Sequence, residues 1–358
     1  MKSYRIAFIP GDGVGPEVAD AARAVLLACG EKFSFSPHVE TLPWGCDHYV
    51  RHGAMMPPDG LESLRAYDAI FLGCMGDPAK VPDHISIEAL HSIRTHFQQY
   101  VNLRPIQLHA GVDTPVTTCT PATVNMVVVR ENTEGEYSRL GGLFYPDEPH
   151  GFATQLGFFT RTGCTRVIRY AFNLARERKR NGGRGLVTNC TKSNSLNYSM
   201  VFWDRIFAEV AAEFPDIVHN AVLADALTMF MVQDPGRFDV IVASNLFGDI
   251  ITDLGSVLQG GIGMAAGANL NPERTAPSMF EPIHGSAMDL AGKNRANPLA
   301  SIESIRLMLE HLGEPAAAAA LLGAVKAVLA ERRVRTADLG GTSTTTEVTT
   351  AVLAALPA

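Results

Sequence analysis

The chain has 358 residues, 30 Lys and Arg against 37 Asp and Glu, and a formal charge of −7. Apolar residues make up 46% and charged residues 19%, a globular composition without the polar excess of a disordered chain. The acidic balance argues against non-specific binding to nucleic acid or a membrane surface. The length suits about two domains around a large core.

The run 4–10 is short and apolar and stops at Gly11-Asp12-Gly13-Val14-Gly15-Pro16. A helical pattern follows, with Val18, Ala21, Ala22, Val25 and Leu26 at i, i+3, i+4, i+7, i+8. Strand, glycine turn and helix are the opening of an α/β protein, and the glycines come too soon for a secretory leader. A dinucleotide fingerprint reads G-x-G-x-x-G. Here the third Gly comes one place early and Pro16 holds the sixth position. Pro is tolerated in a first helical turn. The loop therefore reads as a turn near some ligand, or as purely structural, and not as a Rossmann phosphate loop.

Further buried strands are predicted at 69–72, 126–129, 185–187 and 240–243, each short, apolar and followed by a polar or glycine-bearing turn. Helical patterns cover 166–178, 197–213, 249–259, 301–312 and 315–331. Residues 139–162, rich in Gly, Phe and Pro, read as an extended arm. The uncharged stretch 254–272 carries five Gly, a Gln and two Asn, so it reads as close helix packing followed by a loop and not as a membrane span. Six Cys (Cys29, Cys46, Cys74, Cys119, Cys164 and Cys190) are scattered without a C-x-x-C pair, which suits a reducing, cytoplasmic setting.

Several charged residues stand where chemistry is expected. Asp249 and Asp253, at i and i+4 in the predicted helix, share one face and repel. Such a pair is a solvated acidic face or holds a cation between its members, and hard oxygens favour Mg²⁺ or Mn²⁺. Asp225, alone in an apolar run, is a cap or a ligand. Arg94 and Arg104 flank His96-Phe97-Gln98-Gln99-Tyr100, and Arg130 follows a predicted strand, where α/β sheets bind ligands. A single Arg is usually a surface ion pair, but three that converge fit a di-acid through bidentate bonds. Lys192, soon after the strand 185–187, is a candidate base if a neighbouring cation lowers its pKa. Tyr137 is a candidate proton donor to a carbanion or enolate.

Six stretches, in order along nearly the whole chain, resemble the β-decarboxylating dehydrogenases, the family of isocitrate, 3-isopropylmalate, homoisocitrate, tartrate and D-malate dehydrogenases. They are Ile9-Pro10-Gly11-Asp12-Gly13-Val14-Gly15-Pro16-Glu17, Asn102-Leu103-Arg104-Pro105 and Val129-Arg130-Glu131-Asn132-Thr133-Glu134-Gly135-Glu136-Tyr137. The others are Thr191-Lys192-Ser193-Asn194, Ser244-Asn245-Leu246-Phe247-Gly248-Asp249-Ile250-Ile251-Thr252-Asp253 and Phe280-Glu281-Pro282-Ile283-His284-Gly285-Ser286-Ala287.

The resemblance implies an isopropylmalate-dehydrogenase-like two-domain α/β fold with a mixed parallel/antiparallel sheet. Residues 1–100 and 254–358 would form a large domain carrying the cofactor site, and 101–253 a small domain with the dimer interface and the arm. It implies Arg94, Arg104 and Arg130 as carboxylate clamps, and Asp225, Asp249 and Asp253 around Mg²⁺ or Mn²⁺. Lys192, aided by Asp225, would be the base and Tyr137 the acid. His284, Gly285, Ser286, Ala287, Asp289 and Asn297 would bind NAD, with Asp289 on the adenosine ribose. A monovalent cation is a further option. Lys192 and Asp225 would come from the partner subunit of a homodimer, so that active sites are shared.

The substrate is read from the stretch before Arg94. Leu90 there suits an isopropyl group, whereas Glu88 and His91 do not. Trp44-Gly45-Cys46-Asp47-His48-Tyr49, Val81-Pro82-Asp83-His84-Ile85-Ser86 and Tyr100-Val101-Asn102 resemble the tartrate and D-malate branch. The expected substrate is therefore D-malate or tartrate, with 3-isopropylmalate or another 3-alkylmalate as the alternative. A silent regulatory subunit is a second alternative.

Overall fold

The computed structural model describes residues 2–357. In chain order the elements begin β1 (Lys2–Gly11), α1 (Gly15–Phe33), β2 (Phe35–Thr41), α2 (Cys46–His52), α3 (Gly60–Leu64), β3 (Ala69–Cys74), α4 (Asp83–His96) and β4 (Val101–Gln107). Then come β5 (Asn125–Glu131), β6 (Gly135–Phe144), β7 (Phe152–Phe158), α5 (Arg161–Arg180), β8 (Leu186–Thr191), α6 (Ser199–Ala211), β9 (Val218–Leu223) and α7 (Ala224–Gln233). The chain closes with β10 (Val240–Ala243), α8 (Asn245–Leu258), β11 (Ala266–Leu270), β12 (Ser278–Pro282), α9 (Leu299–Leu312), α10 (Pro315–Glu331) and α11 (Thr345–Ala355).

Ten strands form one sheet in the order β2-β1-β3-β12-β11-β4-β5-β10-β8-β9. The outer strands on each side pair in parallel. The three central junctions, β12 with β11, β11 with β4 and β4 with β5, are antiparallel. This is the mixed sheet expected, and it differs from a Rossmann sheet at its centre.

The register explains where the core and the site lie. Phe71, Phe280, Ala268, Leu103, Val129 and Val242 stand side by side across six strands. Cross-strand partners share a face, and all six belong or pack to one large core under α1, α5, α6, α9 and α10. Their sequence neighbours turn to the opposite face. There the apolar surface is split in two. Ile106, Val128, Ile241 and Ile251 form one cluster beneath α7 and α8, while Ile9, Ile70, Leu72, Leu90 and Phe97 form another beneath α4. The gap between these clusters is polar.

Two expectations change. The loop expected at the end of 254–272 contains β11, buried throughout. Ala, Gly and Asn have low strand propensity, so this strand is imposed by its two antiparallel neighbours. The helix expected to start at 249 starts at Asn245. The arm is a two-stranded antiparallel hairpin, β6 with β7, and it exposes Leu140, Leu143, Phe144, Phe152 and Leu156. No helix among the described residues is long and apolar enough to cross a membrane.

Candidate active site

The polar gap is built by strand alternation. Glu281 follows Phe280, Asn269 follows Ala268, Asn102 and Arg104 flank Leu103, and Arg130 follows Val129, so all five leave the sheet on the side opposite the large core. Arg94 joins them from the last turn of α4, and Asp249 and Asp253 from α8. Together with Tyr137, Leu90 and His91 they line a cavity of about 470 Å³, except Asn102 and Asn269, which lie beneath it.

Each arginine is buried and donates a hydrogen bond from its guanidinium. Arg94 Nη2 donates to Glu281 Oε1 at 2.6 Å. Arg104 donates from Nε to Asn102 Oδ1 at 2.6 Å and from Nη1 to Thr252 Oγ1 at 2.7 Å. Arg130 donates from Nε and Nη2 to Asn245 Oδ1 at 3.0 and 2.7 Å, and from Nη1 to Asp249. Burial, and then the nearby Arg104 charge, pulls the Arg130 pKa down. Three guanidinium groups in one cavity repel, and the carboxylates of Asp249, Asp253 and Glu281 in the same lining offset that repulsion.

The carboxylates respond to that field. Burial works against the charge on Asp249, yet Arg130 and Arg104 outweigh it and hold the group below its ordinary pKa. The cations beside Asp249 in this chain are thus arginines from the facing sheet. Asp253 is raised, first by burial and then by Asp249. Tyr137 donates to Asp249 Oδ2 at 2.7 Å, and burial followed by that bond pushes its phenol up to about 12. The proton therefore stays on Tyr137 at neutral pH. His91 stacks on Tyr137 with ring centroids 6.0 Å apart. Burial, then Arg94, lowers its pKa to about 4, so the ring is neutral.

A second cavity, of about 520 Å³, meets the first at Ile262, His284 and Gly285. Val14 from the glycine turn lines it, with Ala287, Asn297 and Asp338. The turn comes this close because Gly13 has φ +61° and a Cβ there would lie 1.9 Å from the Ser286 carbonyl oxygen. Val14 N–H donates to that oxygen at 2.8 Å. Of the residues expected at the cofactor, His284, Gly285, Ala287 and Asn297 line this cavity, while Ser286 and Asp289 do not.

Lys192 and Asp225 lie elsewhere. They pair at 2.9 Å, Asp225 is two-thirds exposed, and neither lines the cavity. No group of three acids, histidines or cysteines among the described residues forms a metal cluster. Asp249 and Asp253 supply two hard-oxygen donors, which fits a divalent cation that takes its remaining ligands from outside this set. The second cavity fits a nucleotide. His284 Nδ1 stands 3.0 Å from the Gly285 carbonyl oxygen and 3.5 Å from Cys74 Sγ, and its buried Nε2 has no partner among the described residues.

A model of the isocitrate/isopropylmalate dehydrogenase family matches residues 5–352. The chain belongs to that family. A probable tartrate dehydrogenase/decarboxylase of Agrobacterium vitis is 49% identical over 99% of this chain and 98% of its own. The decarboxylating D-malate dehydrogenase of Escherichia coli (strain K12) is 46% identical over 98% of each chain. Among solved structures, isocitrate dehydrogenase from Methylococcus capsulatus superposes with a TM-score of 0.87 at 37% identity, covering 99% of both chains. Family membership carries the two-domain α/β fold seen here.

Sequence reasoning missed the groups that hold the arginines: Glu281, Asn269, Asn102, Thr252 and Asn245. One signal was available. Glu281 is a lone acid in the apolar strand Met279-Phe280-Glu281-Pro282, and a buried acid needs a cation. Asp338, which accepts from Asn297 Nδ2 at 2.9 Å, carried none.

Proposed function

We propose that this chain catalyses the NAD- and divalent-metal-dependent oxidative decarboxylation of a malate-type 2-hydroxy di-acid, D-malate or tartrate. The observation that carries this reading is the single cavity that gathers three buried arginines, three carboxylates and a protonated tyrosine beside a nucleotide-sized cavity. Arg94, Arg104 and Arg130 are balanced by Asp249, Asp253 and Glu281. A dianionic substrate that arrives with a divalent cation leaves that balance unchanged.

The arginines hold the two carboxylates and set the hydroxyl-bearing carbon toward the second cavity. Asp249, Asp253 and the partner's copy of Asp225 hold the cation. His284, Gly285, Ser286, Ala287 and Asn297 hold the cofactor, and Asp289, between Ala287 and Leu290 in sequence, receives the ribose hydroxyls. When bound, NAD⁺ would supply the hydride acceptor and the cation would supply Lewis-acid polarisation of the substrate oxygens. The Lys192–Asp225 pair together takes the hydroxyl proton. The resulting keto acid loses CO₂, and Tyr137 returns a proton to the carbon left behind. Lys192 and Asp225 reach this cavity from the second subunit of a homodimer. Their distance from the cavity of their own chain supports that reading, as does the apolar, exposed hairpin together with Tyr198, which is 92% exposed.

Arg94, Glu281 and His284 come from 1–100 and 254–358, and Arg104, Arg130, Tyr137, Asp249 and Asp253 from 101–253. The cavity thus fits the seam between the two proposed domains. Six buried free cysteines suit a reducing, cytoplasmic setting. A 3-alkylmalate is the second reading, favoured by Leu90 and Ile87 on the α4 wall. A silent regulatory subunit has no chemical need for Tyr137, Lys192 and the Asp set together.

Replacing Lys192 with Met tests the mechanism. Turnover of D-malate should vanish while the melting temperature and NAD⁺ affinity hold. Unchanged activity would sink the assigned role.

A further inference from the structure

We infer that Asn269 is the positioning residue that locks Arg94 and Arg104 at the separation a di-acid requires. The inference rests on the reading of the cavity as a di-acid site. Asn269 is fully buried in β11, between the strand that carries Asn102 and Arg104 and the strand that carries Glu281. Arg104 Nε donates to Asn102 Oδ1 at 2.6 Å, and Asn102 Nδ2 donates to Asn269 Oδ1 at 2.8 Å. Asn269 Nδ2 then donates to Glu281 Oε1 at 2.8 Å, the same oxygen that accepts from Arg94 Nη2 at 2.6 Å.

The polarity of this relay has one solution. A guanidinium only donates and a carboxylate only accepts. Asn102 must therefore offer its oxygen to Arg104 and its N–H to Asn269. Asn269 must offer its oxygen to Asn102 and its N–H to Glu281. Asn132 Nδ2 adds a second donor to Asn269 Oδ1 at 2.9 Å, so the amide is engaged on both sides. Buried polar networks are costly unless every member is satisfied. Packing alone does not call for an amide at this point of the sheet. What an amide adds is a rigid link between two like charges that repel and would otherwise splay.

Asn269 lines neither cavity, so it acts through the arginines. The test uses the full-length protein with Mn²⁺ and the variants Asn269→Leu, which keeps the branched outline without a polar atom, and Asn269→Ser, which puts one hydroxyl in place of the amide. Calorimetric titration with D-malate is compared with titration, by displacement where weak, with D-lactate, which lacks the second carboxylate. The expected result is roughly a 10-fold or greater loss of D-malate affinity in Asn269→Leu, a smaller loss in Asn269→Ser, and D-lactate affinity within about twofold of wild type. Lower melting temperature with both affinities unchanged would overturn the inference, as would equal loss for both acids. If Asn269→Leu does not fold, Asn269→Ser decides by the same ratio. A wild-type protein that binds no D-malate would overturn the di-acid reading itself, and the inference with it.

Discussion

Gly248 offers a test in which two ordinary rules oppose each other. It sits in the first turns of α8, beside Asp249. A Cβ placed there would lie 2.5 Å from Arg130 Cγ and 2.7 Å from Arg130 Cβ. That stem has no room to swing. The Arg130 backbone is paired to Asn102 and Ala243 on either side, and its guanidinium is fixed by Asn245 and Asp249. Helix propensity alone predicts that Gly248→Ala gains about 1 kcal/mol. Overpacking against an anchored chain costs about 1–3 kcal/mol, so the net is a loss of about 0–2 kcal/mol. Gly323 in α10 provides the control, because a Cβ there meets nothing within 4 Å. Gly323→Ala should gain about 0.5–1 kcal/mol. Urea denaturation measures both. The KM for the di-acid should rise roughly tenfold in Gly248→Ala through the displaced Arg130 and stay level in Gly323→Ala. A Gly248→Ala protein more stable than wild type, with an unchanged KM, would show that Arg130 yields freely to the added methyl.

Three further outcomes follow from the same geometry. Mixing and refolding Tyr137→Phe chains with Lys192→Met chains should restore about a quarter of wild-type turnover, because half the dimers are mixed and each holds one intact shared site; no recovery would show that both residues act within one chain. His91→Leu, which makes the α4 wall apolar beside Leu90 and Ile87, should raise the kcat/KM ratio of 3-isopropylmalate to D-malate by about 10-fold or more, read from initial rates. His311 is held neutral by burial and then by Arg274, with its pKa lowered to about 4. The unfolded chain takes up that proton near pH 6.5, so stability is full above this pH and is lost as pH falls toward 4. The gap is worth roughly 3 kcal/mol at most, and partial exposure cuts it to about 1–2 kcal/mol. Urea midpoints across that range should show a shallower slope in His311→Phe.

Much of the scaffold was legible because local and global signals agree. The run into the glycine turn, the buried strands at β3, β5 and β10, and α10 at Pro315–Glu331 all follow from periodicity and composition. β11 was not legible, since Ala266-Gly267-Ala268-Asn269-Leu270 has no strand-forming bias and takes its shape from β4 and β12. The arginines stood out because charge in or beside an apolar segment demands a partner. Their partners did not, since Asn102, Asn269 and Glu281 are brought together only by the register of β11 against β12 and against β4, which lies far away in sequence. The Lys192–Asp225 pair shows the same limit. Sequence marks both residues as chemical, and their absence from the cavity lining within one chain becomes visible only in three dimensions.

The most direct test is the absorbance of reduced cofactor formed by purified protein with NAD⁺ and Mn²⁺, with CO₂ trapped in parallel. D-malate, L-tartrate, meso-tartrate, 3-isopropylmalate and isocitrate are compared, with NADP⁺ and EDTA as controls. Turnover is expected to be strongest on D-malate or a tartrate, abolished by EDTA and accompanied by CO₂ from D-malate. Turnover that survives EDTA, or none on any of these acids, would contradict it.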